Sequence, residues 1–161
     1  MKTCVFAGSF DPFTVGHKAI VDKLIRTRRR VIITVGDNPD KKPYFSAAER
    51  AKIIKAAYKG EKRVRVVVYS EIKDYADFLK KAGATEYYRG LRSLEDYDYE
   101  KKAEEKNKTL YPDIETKYIF GNKFSYISST FIKQRIKDGL DVKRYIPKKA
   151  YKTFKKILRE K

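Results

Sequence analysis

The chain has 161 residues, with thirty-nine Lys and Arg against twenty-one Asp and Glu and a formal net charge of +18. The length suits one domain with its own core, and the single cysteine, Cys4, excludes a disulfide framework and fits a reducing cytoplasm. No run is apolar enough for a membrane helix and Asp11 and Pro12 break any signal-peptide core, so a soluble cytoplasmic protein is expected, one whose charge suits nucleic acid, an acidic membrane surface or phosphorylated small molecules.

In chain order, Thr3 to Ala7 is β-branched and apolar and predicts a first strand. It runs into Gly8-Ser-Phe-Asp-Pro-Phe-Thr-Val-Gly-His17 (GSFDPFTVGH), which holds the only histidine. Ala19, Ile20, Leu24 and Ile25 then recur at helical spacing. Val31 to Val35 predicts a second strand, ending in Gly36-Asp-Asn-Pro-Asp-Lys-Lys-Pro43, and Ala47, Ala48, Ala51, Ile54 and Ala57 mark a second helix. Val64 to Tyr69 is a third strand, followed by a helix marked by Ile72, Tyr75, Ala76 and Leu79. A weaker run, Thr85 to Tyr88, leads into Arg89-Gly-Leu-Arg92. Lys117 to Phe120 is a fifth strand, and the segment Gly121 to Thr130 opens another helix.

The tail from Lys143 to Lys161 carries nine basic residues and one acid, Glu160. Ala150, Phe154, Ile157 and Leu158 recur at helical spacing, which predicts a basic helix over about 148–160 docked by its apolar face. A solvated helix accounts for this tail better than a nucleic-acid arm does. Strand alternating with helix predicts an α/β fold: a single Rossmann-like domain over residues 1–161, a five-stranded parallel sheet flanked by helices. Ligands of such sheets bind outside the carboxyl ends of the strands, where the winding reverses.

Those ends are where the unusual residues gather. Gly8 and Ser9 can bring backbone N–H groups against a phosphate. Gly16 and His17 open a helix whose N-terminus favours an anion, and the imidazole can donate to a phosphate oxygen. Ser128, Ser129 and Thr130 offer hydroxyls and N–H groups at another helix start. Arg89 and Arg92 supply forked donors, and Lys41 or Lys42 a point charge. Singly, each has a plain alternative, a cap, a solvated face or a loop. Their placement at successive strand ends favours phosphate binding. The chain has no GxxxxGK[ST] loop, no GxGxxG fingerprint and no G-x-S-x-G elbow, and one Cys and one His cannot form a zinc cluster.

GSFDPFTVGH resembles the [T/H]xGH motif of the nucleotidylyltransferase superfamily, and Tyr126-Ile-Ser-Ser-Thr-Phe-Ile-Lys133 resembles its ISSxxxK/R signature. RGLRSLEDYDYE at Arg89 to Glu100 and DKKPYFSAAER at Asp40 to Arg50 are similar to the bacterial phosphopantetheine adenylyltransferase family. The likeness runs in order from Thr3 to about Pro147. It implies a reaction in which 4′-phosphopantetheine and ATP, with Mg²⁺, give dephospho-CoA and pyrophosphate by direct attack on the α-phosphorus. It also implies catalysis by positioning and charge stabilisation.

The resemblance implies roles by position. Ser9 and Lys41 hold the attacking phosphate, with Arg89 assisting, and His17 stabilises charge on the α-phosphoryl group. Arg92, Ser128, Ser129 and Thr130 grip the triphosphate, so that His17, Lys41 and Arg92 form the catalytic set. Ser9, Phe10, Gly90, Tyr99, Glu100 and Asn107 complete the nucleotide side, and Asp11 shapes the phosphate loop. A homohexamer and feedback binding of coenzyme A are further implications.

The chain also departs from that pattern. Lys101 to Lys108 is charged where the family helix is apolar, and such a helix buries little against a neighbouring subunit. Lys73-Asp74-Tyr75 and Glu86-Tyr-Tyr88 replace more apolar segments, and Thr130 replaces a serine. Two alternatives stand beside this assignment. One is another nucleotidylyltransferase, acting with CTP or on nicotinamide mononucleotide, although such relatives tend to carry HxGH and lack RGLR…DYDYE. The other is a basic nucleic-acid-binding protein on the same fold, which retention of the whole phosphate rim disfavours.

Overall fold

The five apolar runs are strands: β1 (Lys2–Gly8), β2 (Arg29–Val35), β3 (Val64–Val68), β4 (Ala84–Leu91) and β5 (Glu115–Phe120). All neighbours pair in parallel, in the order β3-β2-β1-β4-β5. The helices are α1 (Val15–Arg26), α2 (Ala47–Ala57), α3 (Tyr75–Lys81), α4 (Leu94–Leu110), α5 (Ser129–Lys137) and α6 (Tyr151–Arg159). The structure, a computed structural model, describes residues 1–27, 29–91, 94–120 and 126–161, without the side chains of 94–96, 99 and 103. The Rossmann-like architecture is the one the alternation of runs predicts.

Period-two alternation sorts the core. On β1, Cys4 and Phe6 join the larger cluster with Val21, Ile54, Ile132 and Phe154, whereas Val5 joins a smaller cluster with Tyr75, Leu79 and Tyr87. Thus α1, α2, α5 and α6 cover one face of the sheet, and α3 packs on the other. Winding runs outward from β1 through β2 to β3, then returns to the opposite side of β1 for β4, so the reversal lies between β1 and β4.

Two helix boundaries differ from the sequence-based expectation. Ile72 lies ahead of α3, because Asp74 caps that helix by accepting from the Asp77 N–H at 2.9 Å. The basic tail opens with a 3₁₀ turn, Lys148–Ala150, before α6. Its apolar residues dock as expected: Ala150, Phe154 and Ile157 are buried. Of the segment Gly121 to Thr130, residues 121–125 lie outside the described residues.

The weak fourth run is an interior strand. Its odd residue, Glu86, is only 1% exposed and is neutralised from three directions. Arg29 Nε lies 2.5 Å away, Lys117 Nζ 2.7 Å and Lys2 Nζ 3.7 Å. These bonds, Arg29's foremost, hold the Glu86 carboxyl at about 2. A carboxyl held below its unfolded value stabilises the fold fully above the ordinary glutamate range, and that contribution is lost as pH falls toward 2. Glu86→Gln is expected to lower Tm near neutrality by roughly 4–10 °C, through unpaired buried cations, with the gap to wild type closing between about pH 5 and pH 2. Thermal unfolding across that range measures it; a gap independent of pH would show that the charge of Glu86 does not stabilise the fold.

Candidate active site

The carboxyl end of β1 turns sharply. Phe10 takes φ 50°, a left-handed conformation, and lays its ring over Gly8, where an added Cβ would come within 3.0 Å of it. Thr14 then caps α1 and His17 occupies the third helical position. His17 N–H donates to Thr14 Oγ1 at 3.3 Å, and the Thr14 N–H donates to His17 Nδ1 at 3.0 Å. The ring stacks on Phe13 and meets the edge of Phe10. An Nδ1 that accepts from a backbone N–H carries no proton, so in the neutral ring the proton sits on Nε2 and makes that atom a donor. The histidine is therefore a cap and a fixed donor together.

Two buried charges tie this loop to its neighbours. Asp11 accepts from the Tyr44 and Phe45 N–H groups at 2.8 Å each, and from Lys133 Nζ at 3.1 Å. Arg50, 1% exposed, donates to Ser9 O at 2.7 Å, Gly36 O at 2.9 Å and Phe45 O at 2.9 Å, and pairs with Asp37. The ends of β1 and β2, the start of α2 and the side of α5 are thus held in one frame. Within it Lys41 and Lys42 stand exposed and make no ion pair among the described residues.

At the end of β4, Arg89 pairs with Glu100 of α4 and lies over the Tyr87 ring. Its Nε, and Asn107 Nδ2, are buried donors with no hydrogen-bond partner among the described residues. At the start of α5, Ser128 accepts from the Phe131 N–H at 2.9 Å and the Ser129 hydroxyl donates to Pro12 O at 2.9 Å. Those two hydroxyls thus serve the fold, while the first N–H groups of α5 have no acceptor within the helix.

These elements enclose one cleft of about 870 Å³. It brings together Ser9, Phe10, His17, Lys41, Arg89, Gly90, Glu100, Asn107, Ser128, Ser129 and Thr130, every expected site residue except two. Arg92 lies outside the described residues, as does the side chain of Tyr99. Phe10 is buried at 3%, so its ring belongs to the core and its backbone to the rim. The opposite wall is aromatic: Tyr69, Tyr75, Tyr87 and Tyr111 line it, with Tyr75 Oη 2.8 Å from Thr34 Oγ1.

The Cytidylyltransferase-like family matches residues 5–135. Phosphopantetheine adenylyltransferase of Clostridium botulinum (strain 657 / Type Ba4) is 36% identical over 162 residues, covering 100% of this chain and 98% of that protein. Phosphopantetheine adenylyltransferase of Heliobacterium modesticaldum is 37% identical over 148 residues, covering 91% of this chain and 87% of its own. Among solved structures, a bifunctional NMN adenylyltransferase/ADP ribose pyrophosphatase from Francisella tularensis superposes with a TM-score of 0.68 at 17% identity. It covers 99% of this chain, which spans about half (52%) of that one, and the likeness speaks for the fold.

Arg50 and Lys133 were not singled out from the sequence as site residues, although both lie inside the quoted motifs. A signal for Arg50 was present: it falls on the apolar stripe of α2, with Ala47, Ala51 and Ile54, where a lone charge requires partners. Arg50→Met strips the donors from four backbone carbonyls, those of Ser9, Gly36, Phe45 and Ser46, and from Asp37. It is expected to lower Tm by about 6–12 °C, on a loss of roughly 3 kcal/mol. Scanning calorimetry measures this, and a Tm within a degree of wild type would mean that the loops are held by other contacts.

Proposed function

This chain belongs to the phosphopantetheine adenylyltransferase family of nucleotidyltransferases, and from that premise we propose how its cleft transfers the adenylyl group of ATP to 4′-phosphopantetheine. An oxygen of the acceptor phosphate attacks the α-phosphorus of ATP. The bond from that phosphorus to the oxygen bridging to the β-phosphate breaks, pyrophosphate leaves with the electron pair, and dephospho-CoA forms. One observation carries this reading: glycines, hydroxyls and basic side chains suited to phosphate, from four separate strand ends, line a single cleft at the switch point of the sheet.

The side chains divide the work between the two substrates. His17 Nε2, its proton fixed by the Thr14 cap, donates to the α-phosphoryl oxygens as charge builds there. The N–H groups at the start of α5 hold the outer phosphates, together with Arg92 and Thr130. Ser9 and Lys41 orient the acceptor phosphate; Arg89, aligned by Glu100, assists through its buried Nε. The tyrosine-lined wall is apolar in its rings and hydrogen-bonding at its tips, suited to the pantetheine arm with its two amides.

Magnesium enters this scheme with the triphosphate. No cluster of three metal-ligating side chains exists among the described residues, and of the four cleft carboxylates Asp11, Asp37 and Glu100 are each bonded to a cation, which leaves Asp40 alone. These residues do not form a cage for the ion, which is therefore treated as part of a magnesium–ATP substrate that keeps several waters.

The decisive assay is pyrophosphate release from ATP and magnesium with and without 4′-phosphopantetheine. Release dependent on that acceptor, with dephospho-CoA formed, is the expected result; release only with nicotinamide mononucleotide, or only from CTP, would keep the fold and overturn the substrates. In the same assay His17→Ala is expected to lower kcat by on the order of 10²-fold with the fold retained, and near-normal turnover would remove His17 from the mechanism. Lys41→Ala is expected to raise KM for 4′-phosphopantetheine and Arg92→Ala to raise KM for ATP. The reverse pattern would exchange the two half-sites.

A further inference from the structure

The sequence treats the basic tail as one solvated helix; the structure lays it against a second basic helix. α6 and the 3₁₀ turn before it pack along α2. Near one end Lys161 Nζ bonds Glu49 Oε2 at 3.1 Å, and near the other the charge of Lys149 acts on Glu61, so the two helices run antiparallel. Both turn their apolar residues inward: Ile53 and Ile54 of α2, Phe154 and Ile157 of α6. What remains outside is basic, with Lys52 and Lys55 on α2, Lys59 just past its end, and Lys152, Lys155, Lys156 and Arg159 on α6, all exposed.

The charge is placed, not spread. Residues 46–63 and 143–161 together carry fifteen Lys and Arg against three Asp and Glu, while residues 71–115, the segment that supplies α3 and α4, carry nine against twelve. Elsewhere some lysines are paired, Lys81 with Asp77, Lys108 with Glu104 and Lys117 with Glu86, and others, Lys41 and Lys42 among them, make no ion pair among the described residues. None of the six lysines on the α2–α6 face makes an ion pair among the described residues, and the neighbouring acids Glu49 and Glu61 are already bonded to Lys161 and Arg63. A rigid two-helix frame that leaves its cations unpaired costs self-repulsion, which a polyanion relieves.

We propose that the α2–α6 face binds double-helical nucleic acid through its phosphates, without sequence preference and independently of the adenylyl-transfer cleft. The composition of the face selects this partner. Single-strand binding uses exposed aromatic platforms, but Tyr58 and Phe154 are buried here and Tyr151 is partly buried against the core. Insertion into a lipid interface needs an apolar helical face, and both such faces are spent on the core. A lysine face with one arginine, Arg159, on α6 is suited to contact phosphates and not to read bases.

The test is fluorescence anisotropy of full-length protein with a short labelled duplex at several salt concentrations. With six lysines engaged, log affinity is expected to fall against log salt with a slope of about −5, from a Kd in the micromolar range or weaker at physiological salt. A quadruple variant, Lys52→Glu, Lys55→Glu, Lys152→Glu and Lys155→Glu, is expected to lose at least about tenfold in affinity and most of that slope. The counterpart Lys80→Glu, Lys81→Glu, Lys101→Glu and Lys102→Glu makes the same change in net charge and is expected to keep both. Circular dichroism verifies folding, and pyrophosphate release is expected to match wild type in both. Equal losses in the two variants would reduce the effect to bulk charge and overturn the face as a site. So would binding only to vesicles rich in phosphatidylserine, or no duplex binding at all. A salt-dependent fall in kcat/KM for ATP in the first variant, without duplex binding, would reassign the lysines to substrate steering.

Discussion

The buried guanidinium of Arg50 is the contact on which the arrangement of this cleft depends. Strand ends in a parallel sheet release their chains into loops with no ladder to hold them, and the ends of β1 and β2 must be held next to each other if Ser9 and Lys41 are to serve one site. Arg50 does this by donating to Ser9 O and Gly36 O from a helix that follows both loops. A neutral side chain could satisfy one carbonyl; the five-donor fork satisfies several, and Asp37 balances the charge. Asp11 acts in the opposite sense, an acceptor from β1 gathering two N–H groups of the Tyr44–Phe45 segment and the ammonium of Lys133. Donor fork and acceptor carboxylate together leave the loops little freedom. That is the precondition for catalysis by position.

The single histidine shows how a structural duty can create a chemical one. As a cap, His17 would need only to satisfy the N–H of Thr14, and many residues could do so. Satisfying it through Nδ1 sets the tautomer, and the Phe10 and Phe13 rings set the plane. A donor whose proton and direction are fixed before substrate arrives requires no reorganisation as charge develops, which is where most of such a donor's value lies. On the mechanism proposed above, the cap is what would make the imidazole useful.

Much of this was legible in the sequence, because strands buried on both faces are continuous apolar runs and helices between them repeat every three or four residues. The rim was legible too, since glycines, hydroxyls and basic residues sat at the ends of those runs. Glu86 was not: period and propensity mark it as a defect in a weak strand, and only the approach of Arg29, Lys117 and Lys2 from other strands and the chain terminus makes it an interior residue. The start of α3 was misplaced by Ile72, whose apolar character belongs to the helical stripe while Asp74 decides where the helix begins. Arg50 was legible as a lone charge on an apolar stripe, but its partners were not, because all but one of them are backbone carbonyls, and carbonyls have no letter in a sequence. The neighbourhood of α2 and α6, nearly one hundred residues apart in the chain, is likewise a property of the winding alone.

Paired and unpaired cations divide the molecule's excess charge into two kinds of behaviour. In the cleft, Arg89 is held by Glu100, Lys133 by Asp11 and Arg50 by Asp37, so each has one direction and little rotamer entropy left to lose. A group held in this way can act only at a set position. On the α2–α6 face the lysines keep their freedom and their hydration, so they attract any dense array of negative charge and specify nothing. Lys41 and Lys42 of the cleft rim make no ion pair among the described residues either, so what sets the cleft apart is the glycines, hydroxyls and helix starts that surround its cations. The +18 total cannot distinguish these cases; what decides is what surrounds each cation.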